Sequence, residues 1–373
     1  MTSPMPLDAF SRLPAAARAI TLDGLSGLID KVAAEAIETH RFLRFQWYAA
    51  ALAAYGGEAR TIVVEREGDP VIALPMIATG PRRLSMASVP GSYWPFRSFP
   101  MSITAEADQV ALLLAELGRQ VNALRVGPVY DGDPGLEALI AVARAGGWAV
   151  LDRFVADSYV LDMAGGTATG TWPRSSTLKK NRFHEKHLAS HGALGWHFAT
   201  GETLPAAFDA YAAIEEKSWI ADHSDGGRDA KFTATGHGAF WRAAAADPAL
   251  AAMMSGALLT IAETPVSFAF DINAGALRYA IANSYDQAFA KHSPGRVLDY
   301  RNLLRGLDRG IALVDWGAGD SGYKREIGAI KAQAIRDWLF VRPGIPAMIA
   351  RLLAGRWRRS GNDGPPRDPA SQA

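Results

Sequence analysis

Residues 279–324 read YAIANSYDQAFAKHSPGRVLDYRNLLRGLDRGIALVDWGAGDSGYK, and the order of signals in that stretch decides the fold. It opens inside an alternating segment, 276–283, which predicts a strand. Tyr285 and Asp286 close that strand. Ser293-Pro294-Gly295-Arg296 then opens a predicted helix over 296–309, because Ser is a favoured N-cap and Pro is preset for a first turn. The apolar run 312–316 is a second short strand, ending in Asp315-Trp316-Gly317. A loop containing Gly319 and Asp320 leads on to Tyr323 and Lys324. Strand, helix, strand is an α/β order, and it collects polar side chains at strand ends.

Upstream, the segments 256–262 and 266–271 are strands joined to each other and to 276–283 by turns short enough for antiparallel hairpins. Before them come a strand at 157–161, a basic helix at 175–190, a strand at 194–199, a helix at 204–219, a loop at 221–231 and a helix at 235–245. The first half repeats the same rhythm more loosely. A helix at 39–55 precedes strands at 60–65 and 71–77, and helices at 107–120 and 134–145 alternate with strands at 123–126 and 148–151. After the last strand, 334–341, the tail carries one amphipathic helix and then a polar, Pro-rich end that predicts disorder.

Composition narrows the function. The chain has 373 residues, 49% hydrophobic and 21% charged, with net charge +1. That is ample for a buried core and argues against a dedicated nucleic-acid binder, so no DNA partner is expected. No cysteine is present, which excludes disulfides, thiol catalysis and cysteine-based metal sites. The longest run without a charged residue is 15 residues, 248–262, short of the roughly 20 needed to span a membrane. The reading is a cytoplasmic protein. Charge is nonetheless concentrated. Residues 174–191 hold five Lys/Arg against Glu185, and 341–373 hold six Arg against Asp363 and Asp368. Two cationic islands point to two local anionic contacts.

The words in 279–324, together with Glu215-Glu216-Lys217-Ser218-Trp219 and the basic helix at 179–191, resemble the GNAT acyltransferase superfamily. They are most similar to its CelD/Fem-like branch of exopolysaccharide and cell-wall modification. The resemblance implies an α/β (α+β) fold of two tandem GNAT-like lobes, each a mixed, mostly antiparallel sheet flanked by helices. The expected division is a leader at 1–18, a degenerate lobe at 19–155, an acyltransferase lobe at 156–341 and the basic helix and tail at 342–373. It also implies acetyl-CoA or another acyl-CoA as donor, and a small-molecule or sugar-linked acceptor. Aminoacyl transfer from tRNA is disfavoured because no coiled-coil hairpin is inserted. A GNAT-like module that binds a nucleotide or partner without chemistry is the alternative.

Each motif carries two readings. The helix start at Ser293, Gly295, Arg296 and Val297 is either an ordinary helix opening or, as the resemblance implies, the site of the CoA pyrophosphate, whose oxygens suit free first-turn amides. Of the superfamily's Arg/Gln-x-x-Gly-x-Gly/Ala pattern, only Gly295 fits. Asp286 either caps a turn or takes a proton from the attacking acceptor, with Tyr285 beside it. Tyr323 can protonate the leaving sulfur and Lys324 can stabilise the oxyanion or anchor an anionic substrate group, with Asp315 and Asp320 on the same rim; otherwise the segment is a glycine turn. Glu216 and Trp219 either orient the acceptor or form a solvated helix end with a core Trp; Glu215 and Trp219 are four apart and predict a shared face. His184, His187 and His191 share a helix with Lys180, Arg182 and Lys186, whose charge repels cations, so no metal is expected. The tail helix places Ile345, Met348, Ile349, Leu352, Leu353 and Trp357 near one side. It reads either as a weak, reversible contact with the inner face of an anionic membrane, Trp at the interface, or as a helix docked on the second lobe.

Overall fold

The structure is a computed structural model, and it describes residues 17–91, 96–223, 228–320 and 322–361. Twelve strands make one sheet: β1 (Ala17–Asp23), β2 (Ala59–Arg66), β3 (Asp69–Thr79), β4 (Met86–Ser88), β5 (Ala123–Tyr130), β6 (Ala149–Asp162), β7 (Leu194–Thr200), β8 (Met254–Ile261), β9 (Thr264–Ala274), β10 (Leu277–Tyr285), β11 (Leu313–Ala318) and β12 (Ile330–Val341). Their order is β1-β2-β3-β4-β5-β12-β6-β11-β10-β9-β8-β7. Neighbours are antiparallel except for two pairs, β4 with β5 and β10 with β11. These occupy matching places, fourth strand beside fifth, in the two halves. The hairpins β2–β3 and β8–β9 match as well. Each turns through two left-handed residues, Glu67 and Gly68 in one, Ala262 and Glu263 in the other, the geometry that suits the twist of a two-residue hairpin.

The helices are α1 (Leu28–Ala34), α2 (Phe45–Tyr55), α3 (Ala107–Gln120), α4 (Pro134–Ala145), α5 (Met163–Ala168), α6 (Ser175–Ala189), α7 (Phe208–Glu215), α8 (Trp219–His223), α9 (Gly238–Ala244), α10 (Pro248–Met253), α11 (Pro294–Asp308), α12 (Tyr323–Ile327) and α13 (Ile345–Arg359). Strand alternation assigns their sides. Phe268, Phe270 and Ile272 of β9 enter the large core that also holds Phe208 and Tyr211 of α7 and Trp241 of α9, whereas Ala269 and Asp271 face the polar underside of α11.

The two halves exchange their last strands. β6 follows β5 and α4 in sequence yet lies beside β11, and β12 follows β11 and α12 yet lies beside β5. β6 and β12 pair with each other between them. The expected boundary at 155/156 therefore falls inside β6, where the segments read as separate strands at 148–151 and 157–161 are one continuous strand. The main core likewise runs across both halves, from Trp47 and Phe96 to Phe270 and Phe340.

Other differences have local causes. The helix read at 39–55 starts only at Phe45, because residues 38–40 form a 3-10 turn whose His40 Nε2 is held 2.8 Å from Asp133. The helix read at 204–219 breaks after Glu215, whose carbonyl accepts a hydrogen bond from Ser218 Oγ at 2.8 Å. The separation of α7 from α8 removes the helical face that Glu215 and Trp219 were expected to share. β1, α5 and α10 were not foreseen. Among the described residues, no helix is long and apolar enough to cross a membrane.

Candidate active site

The parallel pair β10–β11 is joined only from Leu277/Leu313 to Tyr279/Asp315. Beyond that point β10 runs on to Tyr285 and β11 to Ala318 without pairing to one another. Register between β10 and β9 shifts between Ala280 and Ala282, and that between β11 and β6 shifts between Asp315 and Ala318. Such irregularities bend a strand away from its neighbour. The result is a wedge flanked by two strand edges whose facing backbone groups are not paired across it.

α11 begins at the open end of the wedge. Ser293, its N-cap, is left-handed (φ 49°) and makes no side-chain cap, so it does not use up the first-turn amides, which carry the positive end of the helix dipole. Gly295 is buried, and a Cβ there would lie 3.0 Å from Tyr285 Cδ1; the glycine lets the helix start rest on that ring. Val297 is a core residue at 1% exposure. Arg296 Nη1 donates to Glu326 at 2.9 Å and ties α11 to α12.

Tyr323 opens α12 on the other side. Its ring meets Trp316 edge-on at 5.8 Å, and its hydroxyl accepts from Asn283 Nδ2 of β10 at 3.4 Å, so the phenol reaches across the wedge. The loop before it is braced from within. Asp315 accepts from the Gly317 amide at 2.6 Å, and Asp320 accepts from the Gly322 amide at 2.9 Å while pairing with Arg325 at 2.7 Å. Lys324, 5% exposed, donates to the carbonyls of Gly317, Ala318 and Gly319 at 3.4, 2.9 and 2.8 Å. An ammonium has three protons, and all of them are directed at this loop. Lys324 thus shapes the loop that carries Tyr323 rather than presenting its charge to a substrate. Burial lowers its pKa to about 8 against the opposing pull of Asp315 and Asp320. Burial also raises Asp315 to about 6, opposed by the Gly317 amide, the Tyr130 hydroxyl and Lys324.

The other expected residues take quieter places. Asp286 caps a 3-10 turn, accepting from the Ala288 amide at 2.9 Å. Glu216 is exposed, and Trp219 is 44% exposed. The neighbouring Glu215 is the buried one. It accepts from the amides of Lys231 and Phe232, both at 2.7 Å, and pins the returning loop. His187 of α6 and His191 just beyond its end meet His292, which lies two residues before α11, with His191 Nε2 3.4 Å from His292 Nε2. Among the described residues, no group of three or more His, Asp or Glu could hold a metal ion.

A polar network beneath the wedge was not foreseen. Asp299 of α11, 6% exposed, accepts from Asn283 Nδ2 at 3.2 Å. Asn302 donates to Asp271 at 2.8 Å, and Arg278 reaches the Asn302 carbonyl at 3.1 Å and faces Asp271 at 3.5 Å. A cavity of about 10 Å³ lies among them. Burial and the nearby Asp271 push the Asp299 carboxyl well above its ordinary value, which disfavours its charged form. Its signal in the sequence is the stripe Gly295, Asp299, Asn302, Gly306, small and polar residues at helical spacing on one buried face.

Residues 175–325 match the family model of the acetyltransferase (GNAT) domain. No curated protein matches the chain. Among solved structures, FemX is similar over 90% of this chain and 100% of its own, at 11% identity and a TM-score of 0.58. A conserved protein of unknown function from Bacteroides thetaiotaomicron covers 87% and 100% at 13% identity and TM-score 0.53. The C-terminal domain of a putative lysylphosphatidylglycerol synthetase from Agrobacterium fabrum covers 90% and 96% at 13% identity and TM-score 0.50. At such identities the likeness is one of fold. The chain thus shares the overall mixed α/β fold of these structures, and within it residues 175–325 match the acetyltransferase (GNAT) domain.

Proposed function

We propose that the protein transfers an acyl group, acetyl in the simplest case, from acyl-CoA to an amine or hydroxyl of a sugar or polysaccharide precursor of the cell envelope, in the manner of the CelD/Fem-like branch. The wedge between β10 and β11 carries this reading. Strand edges not paired across it offer amides to an extended thioester arm. The first turn of α11 offers amides and dipole to the diphosphate, with the lysines of α6 adding positive charge. The acceptor attacks the thioester carbon; its new bond forms as the C–S bond breaks. Tyr323 gives its proton to the departing thiolate. The acceptor's proton goes to a carboxylate, and Asp315, raised to about 6 by burial, suits that task better than the turn-capping Asp286, although each also accepts from a nearby amide.

Calorimetry with acetyl-CoA, longer acyl-CoAs and desulfo-CoA tests donor binding, and absence of binding to all three removes the reading. Tyr323→Phe should lower kcat by about 10²-fold with little change in KM; unchanged kcat removes Tyr323 as the acid. Gly295→Asp is a poor probe of the diphosphate site, since any Cβ there disturbs Tyr285. A second reading, aminoacyl transfer from charged tRNA, draws on the cationic α6 beside α11 and on the FemX-like fold. It predicts RNA binding that weakens steeply with salt.

A further inference from the structure

α13 presents the wrong face to solvent for a helix that only packs on a core. It lies along β6, with Ala347 fully buried against Ala123, Ala149 and Val341, and Ala350 beside them. Trp357 turns inward too, under the Arg153 guanidinium at 4.3 Å, and Arg153 also holds Ser360 Oγ at 2.9 Å. Trp357 therefore belongs to the docked side, not with the apolar residues it was grouped with by sequence. The docked positions 347, 350, 354 and 357 are a stripe of small residues closed by one ring.

The opposite stripe, 345, 348, 349, 352 and 353, is the i, i+3, i+4, i+7, i+8 face, and all of it is bulky and exposed. Ile345 is 70% exposed, Met348 57%, Ile349 50%, Leu352 81% and Leu353 53%. Among the described residues, five of the fourteen exposed large hydrophobics lie on these nine positions, so the patch is contiguous rather than scattered. Along the helix the same face turns cationic: Arg356 and Arg359 continue it, while Arg351 donates to the Gly147 carbonyl on the docked side, and α13 has no acidic residue. At its base, Arg342 donates its amide to Asn122, which is bonded in turn to the 3-10 turn of Arg82, Arg83 and Leu84. That turn adds two more guanidinium groups and a leucine 49% exposed.

We propose that this face is a docking surface for an anionic lipid bilayer. α13 lies in the plane of the membrane with its five apolar side chains at the acyl boundary and its arginines among the headgroup phosphates. Charge decides the occupant. Pairing with the same helix of a second copy, which has no acidic residue, would leave Arg356 and Arg359 without a partner, and burying guanidinium groups that way is unfavourable. Residues 362–373, NDGPPRDPASQA, have no large apolar side chain to cover the patch. Phosphate headgroups supply what arginine forks recognise, and the interface accepts the apolar face. The surface is separate from the wedge and does not depend on the acyl-transfer reading.

The test is co-sedimentation of the full chain with vesicles of phosphatidylcholine alone and of phosphatidylcholine with phosphatidylglycerol, alongside light scattering to read oligomeric state. Binding is expected only with phosphatidylglycerol and should weaken with added salt. Leu352→Ser with Leu353→Ser, and separately Arg356→Glu with Arg359→Glu, should each lower partitioning by about tenfold or more with thermal stability unchanged, all four positions being exposed. No binding to the anionic vesicles overturns the proposal, as does a leucine variant that binds like the parent. A parent that ignores vesicles but forms a dimer lost in the leucine variant assigns the face to a second copy instead.

Discussion

Asp315→Asn separates what the wedge needs from what the fold prefers. Asp315 is 5% exposed, and its pKa rises from 3.8 to about 6. A raised folded-state pKa means that the folded protein holds an extra proton between those two values. The stability this confers is complete below about pH 3.8 and is lost as pH rises through about 6. The gap between the two values corresponds to about 3 kcal/mol. Asparagine is neutral at every pH, is close in shape to the protonated acid, and can still accept the Gly317 amide. The variant should therefore match the parent in stability near pH 4 and exceed it above pH 7 by about 3 kcal/mol. Urea melts of both proteins across pH 4 to 8 read this directly through the midpoint. If Asp315 is also the base, parent kcat/KM falls below about pH 6 and the more stable variant is slow at every pH. A variant equally or less stable at pH 8, with no pH dependence in the difference, refutes the view that a buried, destabilised charge is kept here for use.

The remaining expectations concern neighbours of that residue. Lys324→Met leaves three loop carbonyls without their donor and should cost about 3–5 kcal/mol; a melting temperature near the parent's would show that water replaces the ammonium easily. Asp299→Asn should change stability by less than about 1 kcal/mol at pH 7, because burial and the nearby Asp271 already disfavour the charged carboxylate. A large loss on urea titration would mean that Asp299 is ionised in the folded protein.

The stretch 279–324 was legible because its signals are local. Alternation, a Ser-Pro helix start and glycine-bearing strand ends sit within a few residues of the elements they specify, so β10, α11, β11 and the placement of Tyr323 follow from order alone. Roles that depend on what arrives from elsewhere were not. Gly295 is a glycine because the Tyr285 ring lies against it, Lys324 is spent on carbonyls that only the folded loop brings together, and Glu215 is buried by a segment sixteen residues on. The tail helix was legible as amphipathic, but its docking through alanines instead of leucines was not, since hydrophobicity ranks the wrong stripe first. Strand alternation also carries no partner label. Nothing in the pattern of β6 or β12 says that each pairs with the other half's fifth strand.

That exchange bears on how the chain is made. β5 ends at Tyr130, and the strand that pairs with it along one side, β12, starts only at Ile330. While the intervening residues leave the ribosome, the first half carries two strands, β5 and β6, with open edges facing a gap. Open edges pair with whatever strand is near, and contacts this far apart in sequence form slowly. The first half therefore cannot finish as an independent unit during synthesis. In the finished sheet the last strand, β12, lies between β5 and β6, so the pairing of both is complete only once it is in place.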